Sequence, residues 1–354
     1  MRIPYIRQKT PLIEVLMFTR HLSTMIKAGI TISESLQTLQ QQTKSSTFKQ
    51  MIEQMYNDVQ NGQSLANALK KHPDSFSQFY VSLIEVSEAS GTLEQNLDFI
   101  TLQLTKSYNL HKKVKSAALY PTVVLTATVL VSGFISYFVL PQLVDFFQSF
   151  DVELPFTTKI LLFISTLFRD HGLLLGIIFI LGFGAWNMSI RSKWGKPLWD
   201  RLLLKLPIIG SFVSSSQMAQ FSRNLGVLVK SGVPITRAVD VTATTLTNDL
   251  FIKDIAHIST YLTQGKNISS AIERHSFTEF SPLSVKMIGI GEKTGKVDEA
   301  LLYLGDFYEE EIDNFTKNLT TILEPVLLLI IGAVVGFVAL AIISPIYELS
   351  GSLR

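Results

Sequence analysis

Residues Leu83 to Leu97 read LIEVSEASGTLEQNL, and Met287 to Leu301 read MIGIGEKTGKVDEAL. Ile, Glu, Gly and Leu recur at the same places, 204 positions apart. The likeness extends along the chain. FTRHLSTMIKAGITI (Phe18 to Ile32) aligns with FSRNLGVLVKSGVPI (Phe221 to Ile235), and NGQSLANALKKH (Asn61 to His72) aligns with QGKNISSAIERH (Gln264 to His275). Tyr120-Pro121 corresponds to Glu324-Pro325, and Pro141 to Pro345. Within each copy the two prolines stand 20 residues apart, or ~30 Å of helix. The 354 residues therefore hold one unit twice, and any fold proposed for the unit must be satisfied two times.

The prolines bracket charge-free stretches. One runs from Ser116 to Val144, another from Pro325 to Tyr347, and a third, outside the repeat, from Gly172 to Ile190. Each is long enough to cross a hydrocarbon core of ~30 Å. Hydrophobic residues make up 47 % of the chain and charged residues 17 %, which also points to membrane spans. Lys106, Lys112, Lys113 and Lys115 precede the first span, and Arg191, Lys193, Lys196, Arg201 and Lys205 follow the second. The 145–171 connection carries more acids than bases. Because positive charge stays inside, the N-terminus and the 191–323 block are expected in the cytoplasm, and the connection and the C-terminal tail outside. The middle span then has a reason: two units of equal orientation need one helix to bring the chain back. Ile160 to Phe168 is apolar but too short to cross, and reads as an interfacial helix. The N-terminal MRIPYIRQKTP lacks an apolar core and is not expected to be a cleavable signal peptide.

The soluble part of each unit reads as about six short helices. Leu12, Val15, Leu16, Leu22, Met25 and Ile26 recur at helical spacing, and no alternating strand pattern is seen. Gly29 and Gly232 suit left-handed helix ends, as do Gly62 and Gly265. Thr31-x-x-Glu34 and Thr92-x-x-Gln95 are capping boxes. Gly91 and Gly295 mark the bend between helix five and helix six. Helix six, starting near Leu93 or Val297, is expected to run on into its span.

Each copy also sets an acid just before that glycine. Glu88 and Glu292 fall in the last turn of helix five, where the helix dipole disfavours a carboxylate by about 0.3–1 kcal/mol. The other repeated charges, Arg20 and Arg223, are the expected partners, through a bidentate guanidinium–carboxylate contact. An acid merely solvated at the surface, or one that binds a partner, are the other readings.

Several chemistries are excluded. There are no cysteines, which removes disulfides, thiolate metal sites and cysteine nucleophiles. No phosphate-binding loop, HExxH or GxSxG occurs, and the six histidines are scattered. No catalytic residue, cofactor or metal site is expected. A net charge of +2 gives no case for nucleic-acid binding. Glu309, Glu310, Glu311 and Asp313 read as a solvated face or as a docking face for a basic partner. Gly332-x-x-x-Gly336 and Gly172-x-x-x-Gly176 are close-packing motifs of membrane helices.

FTRHLSTMIKAG, GQSLANAL, SEASGTLEQ and LYPTVV in copy one resemble the type II secretion F domain. So do FSRNLGVLVKSGVPI, MIGIGEKTGKVDEALLYLGDFYEEEID and ILEPVLLLIIGAVVGFVALAIISPIYEL in copy two. The resemblance covers about Phe18 to Leu349 and is to the inner-membrane platform proteins of type II secretion and type IV pilus systems. With its short N-terminal lead, the chain is most similar to the competence-pilus (ComGB-like) members of Gram-positive bacteria. The resemblance implies an oligomeric platform without enzymatic activity, embedded in the lipid bilayer. Its cytoplasmic units would touch a hexameric assembly ATPase. Its membrane part would receive prepilins, the major pseudopilin among them, and so support DNA uptake. Ser87-Glu88 stands where the family shows Gly-Glu, which implies a different end to helix five in copy one.

The expected architecture is thus an all-α membrane protein. Residues 1–115 form a first cytoplasmic six-helix bundle, 116–144 a transmembrane helix, and 145–171 an external loop. Residues 172–190 form the returning helix, 191–323 the second bundle, 324–347 the last span, and 348–354 an external tail. A carrier or channel built from parallel repeats is the competing reading, disfavoured because the spans lack ionisable groups. A receptor-like adaptor is a third.

Overall fold

The computed structural model describes residues 10–139, 195–207, 209–275, 277 and 279–352, with scattered positions between 156 and 192. Among the described residues every regular element is helical. Copy one contributes α1 (Leu12–Lys27), α2 (Ile32–Gln42), α3 (Ser46–Gln60), α4 (Leu65–Lys70), α5 (Gln78–Ser90) and α6 (Leu93–Phe134). A π-helical turn, Ile135–Val139, follows α6. After α7 (Gly195–Lys205), copy two contributes α8 (Ile209–Lys230), α9 (Ile235–Ala243), α10 (Asp249–Thr263), α11 (Ile268–His275), α12 (Pro282–Thr294) and α13 (Val297–Ser352). The two sets follow in the same order, and α7 has no counterpart among the described helices of copy one.

The starts and stops are local chemistry. Thr31, Ser45, Ser64 and Ser77 accept a hydrogen bond from the backbone N–H three residues on, at 3.2–3.4 Å, and Ser281 does the same in copy two at 3.2 Å. Helices five end alike in both copies. Gly91 (φ 71°) and Gly295 (φ 73°) are left-handed, and their N–H groups donate to the carbonyls of Ser87 and Gly291. The different ending inferred from Ser87 is therefore corrected. The backbone geometry is set by the glycine four residues later, and Ser87 turns its hydroxyl onto the Leu83 carbonyl of its own helix.

The chain divides into two compact units. One comprises Met1–Lys112 with Pro197–Asn314, the other Lys113–Lys196 with Phe315–Arg354. The helical segments of both repeats thus share one unit. Its core repeats an aromatic triad. Phe18 lies against Phe48 and Phe76, with ring centroids 5.9 and 5.6 Å apart. In copy two Phe280 lies against Phe221 and Phe251, at 5.5 and 6.2 Å. All six rings are buried, and buried aromatics of this kind dominate the energetics of a small helical core.

In the other unit, Pro325–Ser344 is long and apolar enough to cross a membrane, with a mean hydropathy of 3.2. Thr122–Phe134 is apolar but shorter. Val338 and Ala341 are buried beside Ile135, Phe337 and Ile342, and the Thr158 hydroxyl donates to the Ala341 carbonyl at 2.6 Å. Pro121, Pro325 and Pro345 lie within helix rather than ending it. The end of the first expected span, including Pro141, lies outside the described residues. Most of the 145–171 connection, including its interfacial helix, and most of the 172–190 span, including Gly172 and Gly176, also lie outside them.

Candidate coupling site

The repeated acid has a different partner from the one its charge suggested. Glu88 Oε1 accepts from Leu65 N–H at 2.7 Å, and Oε2 accepts from Ala66 N–H at 2.9 Å. These are the first two residues of α4. In copy two, Glu292 accepts from the N–H of Ile268 and, at 3.1 Å, of Ser269, and also from the Ser269 hydroxyl. Those residues begin α11. The expected pairs Glu88–Arg20 and Glu292–Arg223 are therefore corrected: both acids close the N-terminus of helix four from the end of helix five. The physical reason is plain. The first turn of a helix carries amides with no internal partner and a partial positive charge. A carboxylate spanning two of them satisfies both, and it offsets the acid's poor position in its own last turn. Helices four are short, six residues for α4 and eight for α11, so such a clamp matters more than it would on a long helix.

The arginines turn instead toward helix six. Arg20 Nη2 donates to Thr105 Oγ1 at 3.1 Å. Arg223 occupies the same place in copy two but meets carboxylates. Its Nε and Nη2 donate to Glu309 Oε1 and Oε2 at 3.1 and 2.7 Å, and Nη2 also meets Asp306. The Arg223 side chain is only 9 % exposed. Burial pulls its pKa down, and the hydrogen bonds to Glu309 and Asp306 more than reverse that, so the guanidinium is held charged. Glu309 also accepts from Lys106 of α6. The acidic run before the apolar stretch of α13 is therefore not simply a solvated face: Glu309 is engaged by both copies, and Glu311 accepts from Ser215 at 2.8 Å.

This lysine belongs to a wider seam between the copies. Helix α9 packs on α5. Arg237 Nη2 meets Glu85 Oε2 at 2.8 Å, and the Ser231 hydroxyl donates to Asn96 Oδ1 at 2.7 Å. Glu85, Asn96, Ser231 and Arg237 were not singled out from the sequence, and Lys106 and Glu309 stood out there only as members of charged runs, not as a pair. Their signal is weak because none repeats: the seam joins unlike parts of the two copies. Asp200 of α7 was missed too, although it is buried and accepts from Asp249 N–H at 2.8 Å, at the start of α10.

The remaining candidates play backbone parts. Gly29 and Gly232 have φ of 82° and 88° at the ends of α1 and α8, where a side chain would be strained. Gly332 and Gly336 lie in the apolar stretch of α13, and a Cβ at either would meet nothing within 4 Å, so no described helix packs closely there. Pro121, Glu324 and Pro325 sit inside α6 and α13. Among the described residues no group of three His, Asp or Glu side chains could hold a metal ion. One titratable pair stands apart: burial, and then the neighbouring Glu279, push the Asp254 carboxyl up to about 7.

Residues 18–141 and again 221–345 match the family described as type II secretion system (T2SS), protein F. The type IV pilus assembly protein PilC of Thermus thermophilus is 33 % identical over 352 residues, covering 99 % of this chain and 86 % of the relative. PilC of Pseudomonas aeruginosa is 31 % identical over 343 residues, covering 97 % and 91 %. The type II secretion system protein F of Aeromonas hydrophila is 27 % identical over 337 residues, covering 95 % and 86 %.

Proposed function

The chain belongs to the type II secretion system protein F family, whose members are structural platform proteins of pilus and secretion machinery rather than enzymes, and from that premise we propose that it couples a cytoplasmic assembly ATPase to prepilin insertion. In this reading it is a multi-pass, homo-oligomeric protein of the cytoplasmic membrane. Two six-helix bundles lie in the cytoplasm, each followed by an outward span, with 172–190 returning the chain between them. The major pseudopilin is the intended cargo. The machine is a competence pseudopilus that supports DNA uptake.

The observation that carries the reading is helix continuity. Helix α6 is a single element from Leu93 to Phe134, and α13 one from Val297 to Ser352. Each begins among packed side chains and continues into apolar sequence. Val129 and Leu130 in α6, and Leu328, Leu329 and Leu340 in α13, are exposed, as suits lipid contact. A helix without a break transmits rotation or tilt along its length. ATPase motion felt by the helical bundles would then move spans one and three, and so lift an apolar pilin helix out of the bilayer.

Two experiments test this. A Gly-Ser linker inserted after Lys115 should abolish filament assembly in a complemented deletion strain while the protein still reaches the membrane. Normal filament assembly would overturn the lever. Single engineered cysteines are informative because the chain has none of its own. Cysteines at Gln60 and Gln264 should both be shielded from an impermeant maleimide added outside, and one at Asp151 should react. Labelling that puts the two bundles on opposite faces would overturn the topology.

A further inference from the structure

The seam between the copies is one-sided. Copy two contributes the start of its second helix and, through Glu309, one face of its sixth, and copy one contributes its fifth and sixth helices. Because the halves are repeats, each surface has a twin. The copies are offset by 203 positions through the first four helices and by 204 through the last two. Arg237 and Ser231 thus correspond to Glu34 and Ala28, and Glu85 and Asn96 to Gly289 and Ala300. The seam uses one surface from each copy. It leaves the start of α2 on copy one, and the outer face of α12 and α13 on copy two.

The open face on copy two carries apolar side chains. Leu283, Met287 and Ile290 recur at four- and three-residue steps on α12, one stripe of a helix. Leu283 is 41 % exposed and Ile290 54 %, and Tyr303 beside them on α13 is 55 % exposed. Met287, between Leu283 and Ile290, is half-buried, and the counterparts in copy one are less exposed: Phe79 and Leu83 are 6 % and 0 % exposed, and Val86 and Phe99 are half-buried. The reverse holds for the other surface. Val233, at the seam, is buried, whereas its counterpart Ile30 is partly exposed.

The charges fit the same pairing with their signs exchanged. In the seam Arg237 meets Glu85. On the open surfaces Glu34 replaces the arginine. The glutamate's place is Gly289, flanked one turn to either side by Lys286 and Lys293. Glu34, Lys286 and Lys293 are exposed and have no ion-pair partner among the described residues. The counterparts of Ser231 and Asn96 are Ala28, which is exposed, and Ala300, which is already buried against α12, and neither has a polar group to satisfy.

We propose that a second copy of this chain docks the start of its α2, with Ile30 and Glu34, against Leu283, Met287, Ile290 and Tyr303. The contact repeats between chains the one already made within a chain. It is heterologous, so the angle it imposes decides whether two chains close a ring of four repeats or more chains are needed. The inference names the surfaces of the homo-oligomer and does not depend on the ATPase or on the pilin.

Full-length Glu34→Cys and Lys286→Cys chains, with different affinity tags, are coexpressed and oxidised in membranes. A mixed disulfide between the two tags should form, and neither variant alone should crosslink comparably. In detergent, Glu34→Lys should weaken self-association by about tenfold, the scale of one lost charge pair. Adding Lys286→Glu and Lys293→Glu to it should restore association. All three side chains are exposed; Glu34 also sits in the first turn of α2, so Glu34→Gln, which keeps that turn neutral, and the restored variant separate local helix stability from docking. Absence of the mixed disulfide, self-association indifferent to charge reversal, or capture of another protein at Lys286→Cys in place of the second copy would each overturn the proposal.

Discussion

Replacing Glu88 isolates the clamp on helix four. Its carboxylate holds two backbone amides, at 2.7 and 2.9 Å. A hydrogen bond to a charged group contributes about 1.5–3 kcal/mol, and the favourable end of a helix dipole about 0.3–1 kcal/mol. Glu88 is only half-buried, so water can replace part of this when the side chain is removed. Glu88→Ala should therefore lower the local stability of α4 by about 2–3 kcal/mol, and Glu88→Gln, which keeps one acceptor oxygen, by about half that. Hydrogen exchange reads the effect where it arises. At 1.4 kcal/mol per factor of ten, amides of residues 65–70 should exchange about 30- to 150-fold faster in the alanine variant. Arg20→Ala is the control, because Arg20 bonds to Thr105 and not to Glu88. If Glu88→Ala leaves α4 as protected as before, or Arg20→Ala exposes it equally, the clamp is not what holds helix four.

Other outcomes follow from the same contacts. Arg223→Ala leaves Glu309 with Lys106 alone and Asp306 in water, and should cost about 1–3 kcal/mol in thermal unfolding, against less than about 1 kcal/mol for Arg20→Ala. Ser222 Oγ is buried with no hydrogen-bond partner, so Ser222→Ala should be neutral or raise the melting temperature slightly. Gly291→Ala would set a Cβ 2.8 Å from that of Ala300 and should destabilise by about 1–3 kcal/mol, measured by the same melts. Asp254 has its carboxyl raised to about 7 from an ordinary 3.8. The folded state then binds more protons than the unfolded state between those values, so stability should fall as pH rises from about 4 to 7. Melting curves of Asp254→Asn across that window should lack this component.

What could be read from the sequence was what the backbone imposes. A left-handed residue is cheap only for glycine, so Gly29, Gly91 and their repeats announced helix ends that the structure places at φ between 71° and 88°. The Thr31 cap acts over three residues and was visible for the same reason, whereas the Thr92 hydroxyl meets Ser90 and Asn96 rather than the Gln95 amide. The clamp was not visible. Glu88 reaches amides 22 and 23 residues away, and a backbone amide leaves no mark in a sequence. Repeated charges of opposite sign invited a pairing that the fold had no need to make. Arg223 could have been placed better, since Asp306 and Glu309 lie three apart on one helical face. The signal was blurred because copy one has Leu102 and Thr105 at those positions.

That contrast separates what duplication preserved from what it released. Glycine stops, the serine cap of helix five, the phenylalanine triad and the acid on helix four are present in both copies, because each answers a demand that an isolated helical unit makes on itself. The hydroxyl networks have drifted. Thr19 bonds to Tyr80 in copy one at 3.0 Å. In copy two the tyrosine's place is taken by Ser284, and Tyr308 from α13 bonds to it at 2.7 Å. Ser222, in the place of Thr19, is left without a partner. The fork on Arg223 and the seam residues likewise have no equivalent in the other half. Divergence gathers on helices one, five and six, inside each copy as well as on the helices five and six through which one copy meets the other. A duplicated chain whose halves touch through unlike surfaces cannot keep those surfaces identical, and the places where the repeats disagree are the places where each half has acquired its own task.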